Sequence, residues 1–251
     1  MDADPERRDD EDAEVAGLRS DTGRAIGFSD AVFAIIITLL VLDLRTPEVP
    51  PGGVLRALLA QWPVYVAYVT SYLQVAVNWL NHKGTFYRVR CADRGLQWAN
   101  LGVLFSVALL PFVTAVVSRA VELGDRYDER VGIALYGLVG MVLSAAWLGL
   151  YHHLSRYRDL LEPHISPRFF AVERLRAVLG IVAFAVAGLI GWLVSVPVAL
   201  VVLLLLPLFY GLSSNGFYDL RRWMRRRARA AGVTARRGRV DDRADTERGA
   251  P

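Results

Sequence analysis

Six apolar blocks, each about as long as a bilayer is thick, leave this 251-residue chain few ways to fold. They cover residues 25–44, 55–80, 96–118, 131–153, 174–194 and 196–216 to within a few positions. Roughly 20 helical residues cross about 30 Å of hydrocarbon, and every block reaches that length within ordinary tilt. Hydrophobic residues make up 54% of the chain, yet it also carries 29 Lys and Arg against 25 Asp and Glu. The charges fall between the blocks and at the ends, whereas a soluble helical domain spreads them along each helix. The pattern therefore predicts an all-α polytopic membrane protein with six transmembrane helices. The last two blocks meet through Gly191, Trp192 and Pro197. One continuous helix there would be about 60 Å long, twice the hydrocarbon core, so a tight hairpin is expected. Pro63, Pro111 and Pro207 lie inside blocks and are expected to bend their helices.

The two ends carry opposite charge. Residues 1–22 form an acidic leader and residues 218–251 a basic tail, both flanking the block-bearing stretch 23–217. Their composition predicts disorder over most of each. A basic tail behind a hydrophobic block suits anionic membrane lipid better than nucleic acid, and no nucleic-acid partner is expected. The first block sits behind the acidic leader and is longer than the core of a secretory signal, so it is expected to persist in the mature protein. Short-loop basic residues set the orientation: Lys83, Arg88, Arg90 and Arg94 follow the second block, and Arg156, Arg158, Arg168 and Arg174 follow the fourth. Positive-inside logic then places both termini in the cytoplasm of a multi-pass plasma-membrane protein.

Candidate chemistry is sparse. Cys91 is the one cysteine, which excludes an intrachain disulfide and a cysteine-rich metal site. His152, His153 and His164 lack metal-ligand spacing, so no metal and no cofactor are expected. Trp62, Trp79, Trp98, Trp147, Trp192 and Trp223 fall mostly near block ends, as an interfacial aromatic belt does. The first block is more informative. At 100° per residue, Ala31, Ile35, Thr38 and Leu42 share a stripe about 60° wide, with Leu39 at its border. Facing a symmetry axis, that stripe would ring a passage with branched apolar groups and a hydroxyl layer. Such a constriction gates by dewetting. An ordinary lipid-facing span has the same composition, with Thr38 bonded back to the carbonyl of Ala34, and periodicity alone leaves both readings open. Ser29 and Asp30 stand near the start of this block. They suit a helix cap or a buried polar set with Arg24, Asn81, His82, Gln97 or Asn100.

The order R-x-x-x-F-S-D at Arg24, Phe28, Ser29 and Asp30, followed by AVFAIIITLLVLDL, resembles the opening of bacterial members of the transmembrane protein 175 family of potassium channels. The stretch VNWLNHKGTFYRVRCADRGLQWANLGVLFSVALLPFVTAVV is similar to that family's second-to-third helix region. The resemblance covers about residues 20–217 and implies a homotetramer that conducts potassium ions passively across a bacterial plasma membrane. By the same resemblance, the first helix would line the pore with no re-entrant filter loop. Ile35 would form the tightest ring, Leu39 and Leu42 further rings, and Thr38 a hydroxyl layer. Arg24, Phe28, Ser29 and Asp30 would be structural, bonding to His82 and Asn100. Lys83 departs from the family's frequent second histidine, which changes whatever that position bonds. The alternative of a proton- or cation-coupled secondary transporter needs an ionisable group reachable from both sides, and the embedded candidate, Asp30, lies at one end. A lipid-directed enzyme lacks a coherent nucleophile or metal set, and a non-conducting scaffold would carry no current.

Overall fold

The computed structural model describes the backbone of residues 5–213 except 45, 48 and 164, and side chains from Thr22 onward except at 167 and 213. The described chain is helical: α1 Pro5–Val41, α2 Val54–Ala60, α3 Trp62–Phe86, α4 Arg94–Ala108, α5 Leu110–Leu123, α6 Arg126–Arg156, α7 Pro167–Leu193 and α8 Val196–Ser213. Four stretches are long and apolar enough to cross a membrane: Thr22–Val41, Arg94–Leu123, Arg126–Arg156 and Arg168–Leu193, with the shorter apolar helix Val196–Leu212 beside them. The protein is thus all-α with several membrane-spanning helices. In α3 the 25 residues suffice in length, but Thr70, Ser71, Gln74, Asn78, His82 and Thr85 dilute its apolar character. All six are buried, so their polarity is turned into the bundle.

Sequence expectation and structure differ at several points. The acidic leader, expected to be disordered, is helical backbone from Pro5 into the first span. A helix already nucleated by its apolar half extends at little cost through Asp, Glu, Ala and Arg. Pro63 does not bend the second span; it stands in the first turn of α3, after Gln61 separates that helix from α2. A proline is favoured there because its missing N–H has no helical partner to lose. Pro111 breaks the third block as expected: α4 stops at Ala108 and α5 begins at Leu110. Pro207 lies inside the continuous α8. The basic tail 218–251 and Trp223 lie outside the described residues, as does His164.

The expected hairpin is present. Val194 and Ser195 join α7 to α8, and their N–H groups both donate to the carbonyl of Ile190, at 2.8 and 3.0 Å. At the end where α3 and α6 finish, the two arginine-bearing loops pair with each other. Arg90 N–H donates to Leu160 O at 2.8 Å, and Glu162 N–H donates to Arg88 O at 3.0 Å. Asp93 caps α4 by accepting from Leu96 N–H at 2.7 Å and also receives His153 Nε2 at 2.9 Å. His153 therefore fastens a loop to α6. Among the described residues no cluster of three or more His, Cys, Asp and Glu is placed to hold a metal.

Close packing of α6 on α7 depends on missing side chains. A Cβ on Gly140 would lie 2.3 Å from Cδ1 of Phe184, and one on Gly137 would lie 2.9 Å from the Phe184 carbonyl oxygen. The Phe184 ring fills the space so released and is fully buried. Small residues that let backbones approach are how membrane helices gain dispersion contacts where lipid removes the hydrophobic driving force.

Candidate functional site

The first helix has two opposed faces. Ser29, Phe33, Ile36 and Leu40 are 0–3% exposed and fall within about 60° of one another on a helical wheel. They pack α1 onto α3, α4 and α5. Across the helix axis lies the other stripe: Ile35 is 58% exposed, Leu39 45% and Leu42 71%, with Ala31 and Thr38 also exposed. The subunit thus leaves uncovered the same residues whose periodicity suggests a pore lining. Thr38 Oγ1 donates to Ile35 O at 2.7 Å, one residue short of the Ala34 carbonyl expected from sequence. That bond leaves the hydroxyl oxygen's lone pairs available to accept on the exposed side.

The buried face is pinned by a directed chain of hydrogen bonds. Ser29 Oγ donates to Ala25 O at 2.8 Å, one turn back in α1. Its oxygen accepts from Asn100 Nδ2 of α4 at 2.9 Å. Asn100 Oδ1 then pairs with His82 Nε2 of α3 at 2.8 Å. Because the amide oxygen only accepts, His82 donates from Nε2, which assigns the proton to that nitrogen. Three helices are tied by three side chains, and Ser29, His82 and Asn100 are all at most 3% exposed. Phe33 meets the His82 ring edge-on at 5.5 Å, and Phe86 stacks on it at 4.3 Å. The imidazole is therefore fixed in orientation by apolar walls as well as by its bond.

Asp30 takes a different partner from the one the family resemblance implies. Its Oδ1 accepts from Trp79 Nε1 at 2.9 Å, while Ser29 is the residue that reaches Asn100. Adjacent helical residues point about 100° apart, so one of the pair faces the α4 side and the other the edge of α3. Phe28 is 55% exposed and Arg24 is exposed; neither joins the Ser29–Asn100–His82 chain, and both lie on the Ile35 side of α1.

Two tryptophans assigned to an interfacial belt from sequence also do internal work. Trp79 holds Asp30, and Trp147 is buried, donating from Nε1 to Asn78 Oδ1 at 2.6 Å and stacking on Tyr151 at 5.3 Å. Asn78 Nδ2 in turn donates to Gln74 O at 2.7 Å. A second buried set joins α3, α5 and α6: Ser71 Oγ lies 2.6 Å from Thr114 Oγ1 and 3.0 Å from Tyr136 OH. Sequence reading passed over Asn78, Ser71 and Tyr136. The sequence signal for Asn78 and Ser71 is the density of polar residues in α3, a helix of otherwise membrane-like length; Tyr136, in α6, has none.

A family model described as endosomal/lysosomal potassium channel TMEM175 matches residues 24–111, the stretch that holds the apolar half of α1, its anchors and the start of α5. A potassium channel of Streptomyces collinus is 38% identical over 193 residues, which cover 76% of this chain and 92% of that protein. The human endosomal/lysosomal proton channel TMEM175 is 30% identical over 153 residues, 57% of this chain and 30% of the human one. The crystal structure of a lysosomal potassium-selective channel TMEM175 homologue from Chamaesiphon minutus aligns with a TM-score of 0.68 at 29% identity, covering 78% of this chain and 99% of that one. With 38% identity over 92% of a bacterial relative and the same arrangement of helices as a solved homologue, the chain belongs to the TMEM175 family of potassium channels.

Proposed function

We propose that the protein is a passive potassium channel of a bacterial plasma membrane, a homotetramer in which α1 of every copy turns Ile35, Thr38, Leu39 and Leu42 toward a central pore. The observation that carries the reading is the uncovered stripe on α1, opposite a face that is pinned to its own subunit. A helix held so firmly on one side, with bare isoleucine and leucine on the other, has its second partner outside the subunit. Membership in a potassium-channel family supports an aqueous axis there. The work of the protein is transport, not catalysis. Six crossings are counted as α1, α3, α4 with α5, α6, α7 and α8, which brings both termini to the cytoplasmic side. The pairing of the two basic loops at one end of the bundle supports that topology.

Ile35 to Leu42 spans about 10 Å of axis at 1.5 Å per residue, long enough for a dewetted constriction that opens on a small rotation or dilation of α1. Replacing Ile35 with Asn puts an amide ring at that constriction, and ion leak is expected to rise. Flux from liposomes holding purified protein, measured separately under potassium, sodium and proton gradients, checks this. Unchanged flux in Ile35→Asn removes Ile35 from the gate.

A further inference from the structure

The helix bundle encloses a second polar site with no part in the α1 stripe. A cavity of about 50 Å3, partly open at its mouth, lies between α3, α6, α7 and α8. At about 10–15 Å3 of such space for each water, it has room for a few. Its polar lining includes Gln74 and Asn81 on α3, Ser144 on α6, and Glu173 and Arg176 on α7. Glu173 is 6% exposed, and both its carboxylate oxygens accept from Arg176 Nη1 at 3.0 Å. Arg176 Nη2 donates to Tyr210 O at 3.0 Å, and Tyr210 OH donates to Arg176 O at 2.9 Å, so the ion pair also fastens α7 to α8. Gly180 leaves the room: a Cβ there would sit 2.7 Å from Ser144 Oγ and 2.9 Å from Tyr210 OH.

An ion pair buried among apolar helices carries a large desolvation penalty unless further hydrogen bonds surround it, and a wet cavity supplies them. Among the described residues the lining holds one carboxylate and one guanidinium, whose charges balance. The amides of Gln74 and Asn81 each present a donor group beside an acceptor. We propose that this cavity binds small neutral molecules that both donate and accept hydrogen bonds, the class of water and primary amides, inside each subunit. The site is built by one chain and stands independently of the pore reading. It is near the α1 anchors nonetheless, because its wall residue Trp147 holds Asn78 and meets the His82 ring edge-on at 6.4 Å.

The buried Trp147 indole lines the cavity and reports on it. In the purified full-length protein, the Trp147 emission is isolated as the difference between the unsubstituted chain and Trp147→Phe. Acrylamide, a neutral primary amide, is expected to quench that component several-fold more steeply than iodide or caesium. Ser144→Leu, which fills the cavity, is expected to abolish acrylamide quenching, while Ser144→Ala retains it. Equal quenching by the ions, no quenching by acrylamide, or quenching unchanged in Ser144→Leu would overturn the proposal. An experimental density map of the unsubstituted protein tests it without any variant: ordered density between Gln74, Asn81 and Glu173 supports the site, and an empty cavity refutes it.

Discussion

At the scale of the residue, the sharpest feature is that Asn100 serves two masters of opposite polarity, donating to Ser29 and accepting from His82. Leucine at that position would strand a buried acceptor on α1 and a buried donor on α3. Each unsatisfied buried polar group costs about 1–3 kcal/mol. Asn100→Leu is accordingly expected to lower the melting temperature of the detergent-solubilised protein clearly, as read by thermal fluorescence or light scattering. Asp30 differs in that its bond to Trp79 lies at an exposed edge. Asp30→Ala is expected to reduce the yield of assembled protein more than it changes ion preference, and Trp79→Phe, which deletes the same bond, is expected to reproduce it. An intact assembly with altered selectivity in Asp30→Ala would move Asp30 from an anchoring role to a conducting one. Thr38 bonds only its own helix. Thr38→Ala should therefore change the folding stability by no more than the about ±0.5 kcal/mol typical of surface changes, leaving the melting temperature nearly unmoved, and any effect should appear in ion preference.

At the scale of the element, α3 and the α6–α7 pair show how polar and small residues replace the hydrophobic drive that lipid removes. The polar face of α3 dilutes its apolar character, yet several of its buried members meet another helix: Ser71 with α5 and α6, Asn78 with α6, His82 with α4 and Thr85 with Tyr151 of α6. On α6, Gly140 admits the Phe184 ring of α7. A valine there would drive two methyl groups into an aromatic ring that is itself enclosed. Overpacking of this kind costs about 1–3 kcal/mol, and Gly140→Val is expected to lower the melting temperature, with Phe184→Ala in the same chain recovering part of the loss. Recovery is the readout that separates a local clash from a general defect of the helix. The element boundaries teach the complementary lesson. The apolar blocks located the long helices approximately, but Pro63 at the head of α3 and the separate α2 were hidden inside one block, because a hydrophobic run does not record where its backbone bonds are interrupted.

At the scale of the whole molecule, the first helix is pinned to the bundle on one side and uncovered on the other, and among the described residues nothing covers Ile35 and Leu42. The expected outcome of a native mass measurement on protein solubilised under mild conditions is a tetramer, and a monomer with full potassium flux would remove the shared axis. Much of this architecture was legible beforehand. Long apolar blocks oblige the backbone to satisfy its own hydrogen bonds, and the described parts of those blocks are helical. The sequence by itself determined the helical class, the approximate spans and one candidate stripe of α1. Only the tertiary structure decided that this stripe is left uncovered by its own subunit, which of Ser29 and Asp30 reaches Asn100, and that Trp79 and Trp147 anchor helices within the subunit. The reason is physical: a one-dimensional pattern states how polar a position is, whereas the partner of a polar group depends on where distant helices bring their own donors and acceptors.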